Sequence, residues 1–304
     1  MENKTPVQHL PVTPDESGQK LTRFLERRFP DLPGALWMRA IRTGQIRIDG
    51  KRVKPFDRVA AGQIVRIPPL RPADAGAAAP APGPDIFLDL RREPDGLLLA
   101  HKPAGLPTHS GSGHTDSVQT LLRSQFAGAD FIPAPAHRLD KDTSGLILAA
   151  ASYTSARTLH DWLDRGLLDK RYLAWVAGQL PPGQELDLAD LLEKTGEPGR
   201  QKVRTGSGKP ARALARGLAL HAGCSLLELR LFTGRTHQLR VQLASRGLPI
   251  LGDPKYGPKS GKAHPGPMRL HAWKIGLPDG RVFTWLPDWD GEFAIKAGWV
   301  GQEQ

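Results

Sequence analysis

Along this 304-residue chain the apolar residues keep two different rhythms, with a gap between them. Leu21, Phe24, Leu25 and Arg28 recur at helical spacing. From about Ala35 a second helical stretch sets Leu36, Trp37, Ala40 and Ile41 on one face and turns Arg39 and Arg42 outward. Gly44 supplies a helix stop. Gln45 to Val53 then alternates apolar and polar residues around Asp49-Gly50, a strong short-range signal for a hairpin, with Arg47 on its outward face. Two helices and a small sheet are therefore predicted in residues 15–68. From residue 69 to 85 the pattern stops, because a run of Pro, Ala and Gly has almost nothing to pack and reads as a tether. Over residues 86–304 alternation and helical period interleave, as in a mixed α/β or α+β domain, without an internal repeat.

Charge sharpens this division. The chain has 42 Lys and Arg against 31 Asp and Glu, a formal net charge of +11. The first module alone holds twelve basic and six acidic side chains, about +6. Such an excess suits a protein that meets a polyphosphate or an anionic membrane, and basic structural proteins share it. Cys224 is the only cysteine, which excludes an intramolecular disulfide and any zinc site of two or more thiolates, and fits a reducing cytoplasm. No stretch approaches the roughly 20 apolar residues of a membrane span, and the first ten residues lack the apolar core of a signal peptide. The expectation is a soluble cytoplasmic protein.

The segment richest in potential chemistry runs from Ala136 to Gly145, AHRLDKDTSG, and leads straight into the apolar run LILAA. Charged groups delivered into a buried strand sit at the edge of a core, where solvent and ligand can reach them. Ser144, His137 and Asp140 could be read as a hydrolytic triad, but no G-x-S-x-G elbow surrounds Ser144. His137, Asp140 and Asp142 could be read as metal ligands, but no H-x-x-x-H or cysteine pair supports them. Asp140 or Asp142 could also simply cap a turn.

Four further blocks bear on the choice: the strand and turn Leu99 to Leu106, Lys170-Arg171-Tyr172-Leu173-Ala174, Thr233 to Arg240 (TGRTHQLR) with Leu251 to Gly257 (LGDPKYG), and Arg269 to Ala272. In this order, together with HRLDKDTSG, they resemble the RluA family of pseudouridine synthases. The N-terminal module, through GQKLTRFLERRFP, RTGQIRIDGKRVKP and VAAGQIVRIP, resembles the S4-type RNA-binding domain. His101 stands where Asn is commoner in the family, and Gln242 where His often is.

The resemblance implies a pseudouridine synthase fold, α+β, with a mixed, mostly antiparallel sheet around a central cleft. It implies Asp140 as the catalytic carboxylate, Tyr172 against the target base and Arg235 paired with the carboxylate. No metal, nucleotide or organic cofactor is implied. The implied partner is RNA, most closely a 23S-type ribosomal RNA or an assembly intermediate, met by a monomer. A non-catalytic RNA-binding ribosome-assembly factor that keeps the fold is the alternative, which intact Asp140, Tyr172 and Arg235 oppose.

Elementary chemistry fits these roles. A uracil must leave C1′ through N1, turn while held, and rejoin through C5, and one ionised carboxylate can serve as nucleophile or proton acceptor. An adjacent Arg, which cannot lose its charge, would favour the anion. The nucleotide must first be flipped out of the RNA. Arg138 either fills that gap or meets a phosphate, with His137 beside it as a second substrate contact, and Arg39, Arg42 and Arg47 are expected to grip the RNA farther away. Gly206 to Lys209 is not a phosphate loop, since Val203 and Pro210 break that motif. The Gly111 to His114 run reads as a turn near the cleft, and Trp162, Trp175 and Trp273 read as core.

Overall fold

A computed structural model of the chain describes residues 6–29, 32, 34–69, 87–109, 116–129, 131–196, 202–258 and 266–301. Apart from Pro69, the predicted tether lies outside the described residues, as does the Gly111 to His114 run.

The first module follows its local pattern. Strand β1 (Gln8–Pro11) is followed by α1 (Leu21–Arg28), α2 (Gly34–Arg42), β2 (Arg47–Ile48), β3 (Lys51–Arg52) and β4 (Ile64–Ile67). Leu21, Phe24, Leu25, Trp37, Ala40 and Ile41 bury against Ile46, Val65 and Ile67, while Arg39, Arg42 and Arg47 are exposed. Asp49 and Gly50 both take left-handed conformations between β2 and β3, as a tight hairpin demands. The sheet order is β1-β4-β2-β3, so it includes a strand that lies ahead of the expected start at residue 15.

The other described residues are organised by one eleven-stranded sheet. Its elements in chain order are β5 (Leu90–Arg92), β6 (Leu97–Lys102), α3 (Val118–Gln125), β7 (Ala134–Pro135), β8 (Ser144–Ala150), α4 (Tyr153–Asp164), β9 (Asp169–Ala177), β10 (Glu185–Thr195), β11 (Lys202–Thr205), β12 (Lys209–His221), β13 (Cys224–Leu231), α5 (Gln238–Ser245), β14 (Leu270–Gly276) and β15 (Val282–Thr284). Ser117 and Ser152 start α3 and α4 by accepting the backbone N–H of Thr120 and Ser155.

The strand order is β11-β10-β12-β13-β9-β14-β8-β6-β5, with β15 on β14 and β7 on β8. Every pairing is antiparallel except β14 with β8, which agrees with the mixed, mostly antiparallel sheet expected. At that parallel junction Gly145 has a φ of 115°, and a Cβ there would run into the Ala272 backbone.

Both faces of the sheet are covered, and alternate residues of β9 divide between them. Tyr172, Ala174 and Val176 join one core with Leu227, Leu229, Leu239, Leu243 and Leu270. Leu173 and Trp175 join another with Trp273 and Phe293. Trp162 packs against a third beside α4, so all three tryptophans serve the core as expected. Helix α5 lies on the Tyr172 face.

Candidate active site

The loop between β7 and β8 carries Asp140, and three clamps fix it. His137 Nε2 accepts the Leu148 N–H at 3.0 Å. Thr108 Oγ1 donates to the Leu139 carbonyl at 3.0 Å and accepts the Leu139 N–H at 3.1 Å. Lys102, fully buried, donates to the carbonyls of Pro103, Leu106 and Lys141 at 2.6–2.8 Å. Burial pulls the Lys102 pKa down to about 7 against the attraction of Asp142 and Asp140, and the three carbonyls match the three donors of its ammonium form. Burial, reinforced by the charge of Lys170, drives the His137 pKa to about 3, so the ring is neutral and free to accept.

Held this way, Asp140 faces a cleft of about 110 Å³ lined by Arg138, Tyr172, Arg235, His237, Arg240 and Leu270, among others. Its side chain keeps 19% of its surface exposed. Arg240 Nη1 donates to Asp140 Oδ2 at 3.1 Å, while its Nε and Nη2 donate to the two oxygens of Asp253 at 2.8 Å each. Burial works against the Arg240 charge, but Asp253 and Asp140 outweigh it and raise its pKa further. The guanidinium also lies over the Tyr256 ring, 5.4 Å from its centroid.

Asp253 is equally committed. Burial opposes its ionisation, but Arg240 and the backbone N–H groups of Lys255 and Tyr256 hold its carboxyl below the ordinary range. Tyr256 Oη accepts the Val203 N–H and is hydrogen-bonded to His237 Nδ1, both at 3.0 Å. His237 has a φ of 52° where α5 begins.

Tyr172 projects from β9 into the floor of the cleft, 8% exposed. Burial and then the negative charge of Asp140 push its phenol above the ordinary value, so it stays protonated at neutral pH. Arg138 is exposed on the cleft wall, and no hydrogen-bond partner holds its guanidinium among the described residues.

Comparison with known proteins identifies the family. Residues 96–245 match the family model described as RNA pseudouridylate synthase. The ribosomal large subunit pseudouridine synthase C of Escherichia coli (strain K12) is 35% identical over 266 residues, covering 84% of this chain and 82% of that protein. The protein of the same name in Haemophilus influenzae is 34% identical over 258 residues, covering 83% and 80%. This chain belongs to the RluA-type pseudouridine synthase family. Among solved structures, human RNA pseudouridylate synthase domain containing 1 is similar with a TM-score of 0.55 and 27% identity, covering 68% of this chain and 86% of that one. Human RNA pseudouridylate synthase domain containing 4 gives 0.53 and 26%, covering 66% and 88%. The chain is accordingly an isomerase that converts uridine in RNA to pseudouridine.

Within this synthase two expectations need correction. Arg235 does not pair with Asp140: it precedes α5, is exposed, and donates from Nε to the Pro210 carbonyl at 3.1 Å. Because α5 begins at Gln238, only Arg240 is carried by the helix to the buried side, where the carboxylate lies. Arg235 instead lines the rim and an adjoining hollow of about 490 Å³ shared with Lys194 and Lys209. Second, His137 does not line the cleft, because its ring is spent on the Leu148 N–H behind the loop. The hydrolytic alternative set aside from sequence has no support either, since Ser144 does not partner His137. Its Oγ donates to His271 Nδ1 at 2.8 Å, and His271 Nε2 donates to the Trp285 carbonyl at 2.9 Å. That histidine is 1% exposed, too buried for a hydrolytic base, and burial holds it neutral with a pKa of about 3.

Asp253, Tyr256, Lys102 and Thr108 were not singled out from sequence. Asp253 and Tyr256 lie in the LGDPKYG block and Lys102 in the Leu99 to Leu106 block, which could have pointed to them.

Proposed function

We propose that this synthase isomerises specific uridines of large-subunit ribosomal RNA, with Asp140 as the catalytic carboxylate. The observation that carries the assignment is a partly exposed Asp140 in a cleft, held by a buried Arg240 that keeps its charge. The flipped uridine enters with its C1′ toward Asp140. The C1′–N1 bond breaks as the carboxylate attacks or stabilises the sugar, the uracil turns against Tyr172, C1′–C5 forms, and the C5 proton leaves while N1 gains one. No redox change is needed. Arg138, unpartnered among the described residues, stacks in the gap left by the base or meets a phosphate, and Arg235 with Lys194 and Lys209 meets flanking phosphates.

Residues 15–68, with β1, act as an S4-type RNA-binding module whose exposed Arg39, Arg42 and Arg47 grip folded RNA; residues 69–85 tether it to the catalytic domain at 86–304. No helix among the described residues is long and apolar enough to cross a membrane. We take the enzyme to act as a cytoplasmic monomer. The names of the bacterial relatives support a large-subunit substrate.

The test is a map of pseudouridines in ribosomal and transfer RNA from cells with and without the gene. Loss of sites confined to large-subunit RNA is expected. Loss only in transfer RNA, or no loss, overturns the substrate assignment.

A further inference from the structure

We propose that the seam between the N-terminal module and the catalytic domain is a second anion site, which takes a backbone phosphate of the substrate RNA and shares no lining residue with the Asp140 cleft. This rests on RNA being the substrate and adds a surface through which the two parts hold it together. The seam is a real contact: Thr154 Oγ1 at the start of α4 donates to Asp15 Oδ1 at 2.9 Å, and the Arg27 guanidinium of α1 lies 4.6 Å from the Phe131 ring centroid and 5.5 Å from that of Tyr153. Beside it opens a hollow of about 350 Å³.

Its walls are strongly basic. Arg23 and Arg27 come from α1, and Arg123 of α3 with His109 and His160 comes from the catalytic domain. Glu26 is the only carboxylate on the wall, and it makes no ion pair among the described residues. Of the nearby acids, Glu16 pairs with Arg28 at 2.6 Å and Asp15 accepts from neutral Thr154, and both attract Arg27 without touching it. Among the described residues no carboxylate pairs with Arg23, Arg27 or Arg123.

That arrangement works against the stability of the free protein. Arg23 and Arg27 are like charges one helical turn apart, a repulsive spacing. Arg27 is half-buried, its one hydrogen-bonding side chain among the described residues is neutral Gln19 at 3.3 Å, and burial followed by the charge of Arg23 lowers its pKa against the attraction of Tyr153, Asp15 and Glu16. Cations gathered and partly stripped of water, with Glu26 as the lone carboxylate on the wall and no direct ion pair among the described residues, are suited to an incoming anion, and arginine forks match phosphate oxygens. The hollow is also lined by Ala134, Pro135 and Ala136, which run directly into Arg138 and Asp140. A phosphate seated there would lie beside the chain segment that leads to the catalytic loop.

The test compares full-length parent, an Arg23→Gln/Arg123→Gln double variant, and a control Arg91→Gln/Arg165→Gln that removes the same formal charge elsewhere. Arg23 is exposed and Arg123 is only partly buried, so neither belongs to a core, and melting curves confirm folding. Affinity for a ribosomal RNA fragment is measured across a salt series. The seam variant should bind more weakly, with a slope of log affinity on log salt shallower by about 0.7–0.9 for each phosphate it no longer neutralises, while the control keeps the parental slope. Equal slopes in all three proteins, or equal changes in both variants, overturn the proposal. Inorganic phosphate is titrated in parallel: binding that the seam variant loses while its RNA affinity stays parental assigns the hollow to a free anion and overturns the RNA assignment. Turnover of the parent is read separately. Its absence counts against the substrate reading, whereas the salt slopes still decide the seam.

Discussion

Arg240 reaches Asp140 with a single nitrogen, Nη1 at 3.1 Å, because Asp253 already holds the other edge of the same guanidinium by two bonds of 2.8 Å. The planar fork thereby fixes the direction from which Asp140 is approached, and leaves its second oxygen for the substrate.

Lys carries the same charge but cannot make both contacts at once. Arg240→Lys should therefore fold yet turn over at least about 100-fold more slowly, the scale expected when a reacting group is misplaced by about an ångström. Arg240→Ala should also lose about 3–5 kcal/mol of stability, since it strands a buried Asp253. Arg235→Ala should mainly weaken RNA binding. Single-turnover rates and denaturant melts of the three variants check this; a larger rate loss in Arg235→Ala than in Arg240→Lys would restore the pairing expected from sequence.

Asp140→Asn keeps the shape of the carboxylate and removes the anion. Pseudouridine formation should fall below detection while RNA affinity stays within a few-fold of the parent. Full turnover by purified Asp140→Asn would exclude it as the reacting group.

Lys102→Met preserves length and removes all three donors. Each carbonyl left unsatisfied costs about 1–3 kcal/mol, so stability should drop by at least about 2 kcal/mol, with slower turnover as the Asp140 loop loosens. Thermal melts and rates measured on one preparation suffice.

His137 titrates near 6.5 when unfolded and about 3 when folded. Between these values the unfolded chain binds a proton that the native chain refuses, so stability rises with pH and is lost as pH falls from 6.5. His137→Gln can still accept the Leu148 N–H but has no such proton. Its melting temperature should depend less steeply on pH across that window than the parent's, and parallel slopes would contradict the buried neutral ring.

Neutralising Arg39, Arg42 and Arg47 together should leave the fold intact, because all three are exposed. It should flatten the salt dependence of RNA binding by about 0.7–0.9 for each phosphate that then goes without a cation. An unchanged slope would show that this face of the module does not meet RNA.

What sequence made legible followed distance along the chain. Leu21, Phe24 and Leu25 announce α1 by their own spacing, and Asp49-Gly50 announces its hairpin. The blocks that carry Asp140 and Tyr172 mark both as candidates, and the structure brings both to one cleft. The partner of Asp140 was misread because Arg235 and Arg240 sit five residues apart in one block, and which of them turns inward depends on α5 starting at Gln238 after a left-handed His237. Lys102 escaped notice because one of its three acceptors, Lys141, lies 39 residues on. Pairings of that range leave no periodic trace.

The place of β14 has a consequence for how the enzyme is born. It lies between β9 and β8, so the half of the sheet that leads from Asp140 and the half that bears Tyr172 are joined by a strand from residues 270–276, long after both have left the ribosome. A nascent chain ending short of β14 holds the parts of a site without the seam that sets them face to face. Catalytic competence should therefore arrive in one late step during synthesis, and a newly made chain is spared from acting on RNA through a half-built cleft.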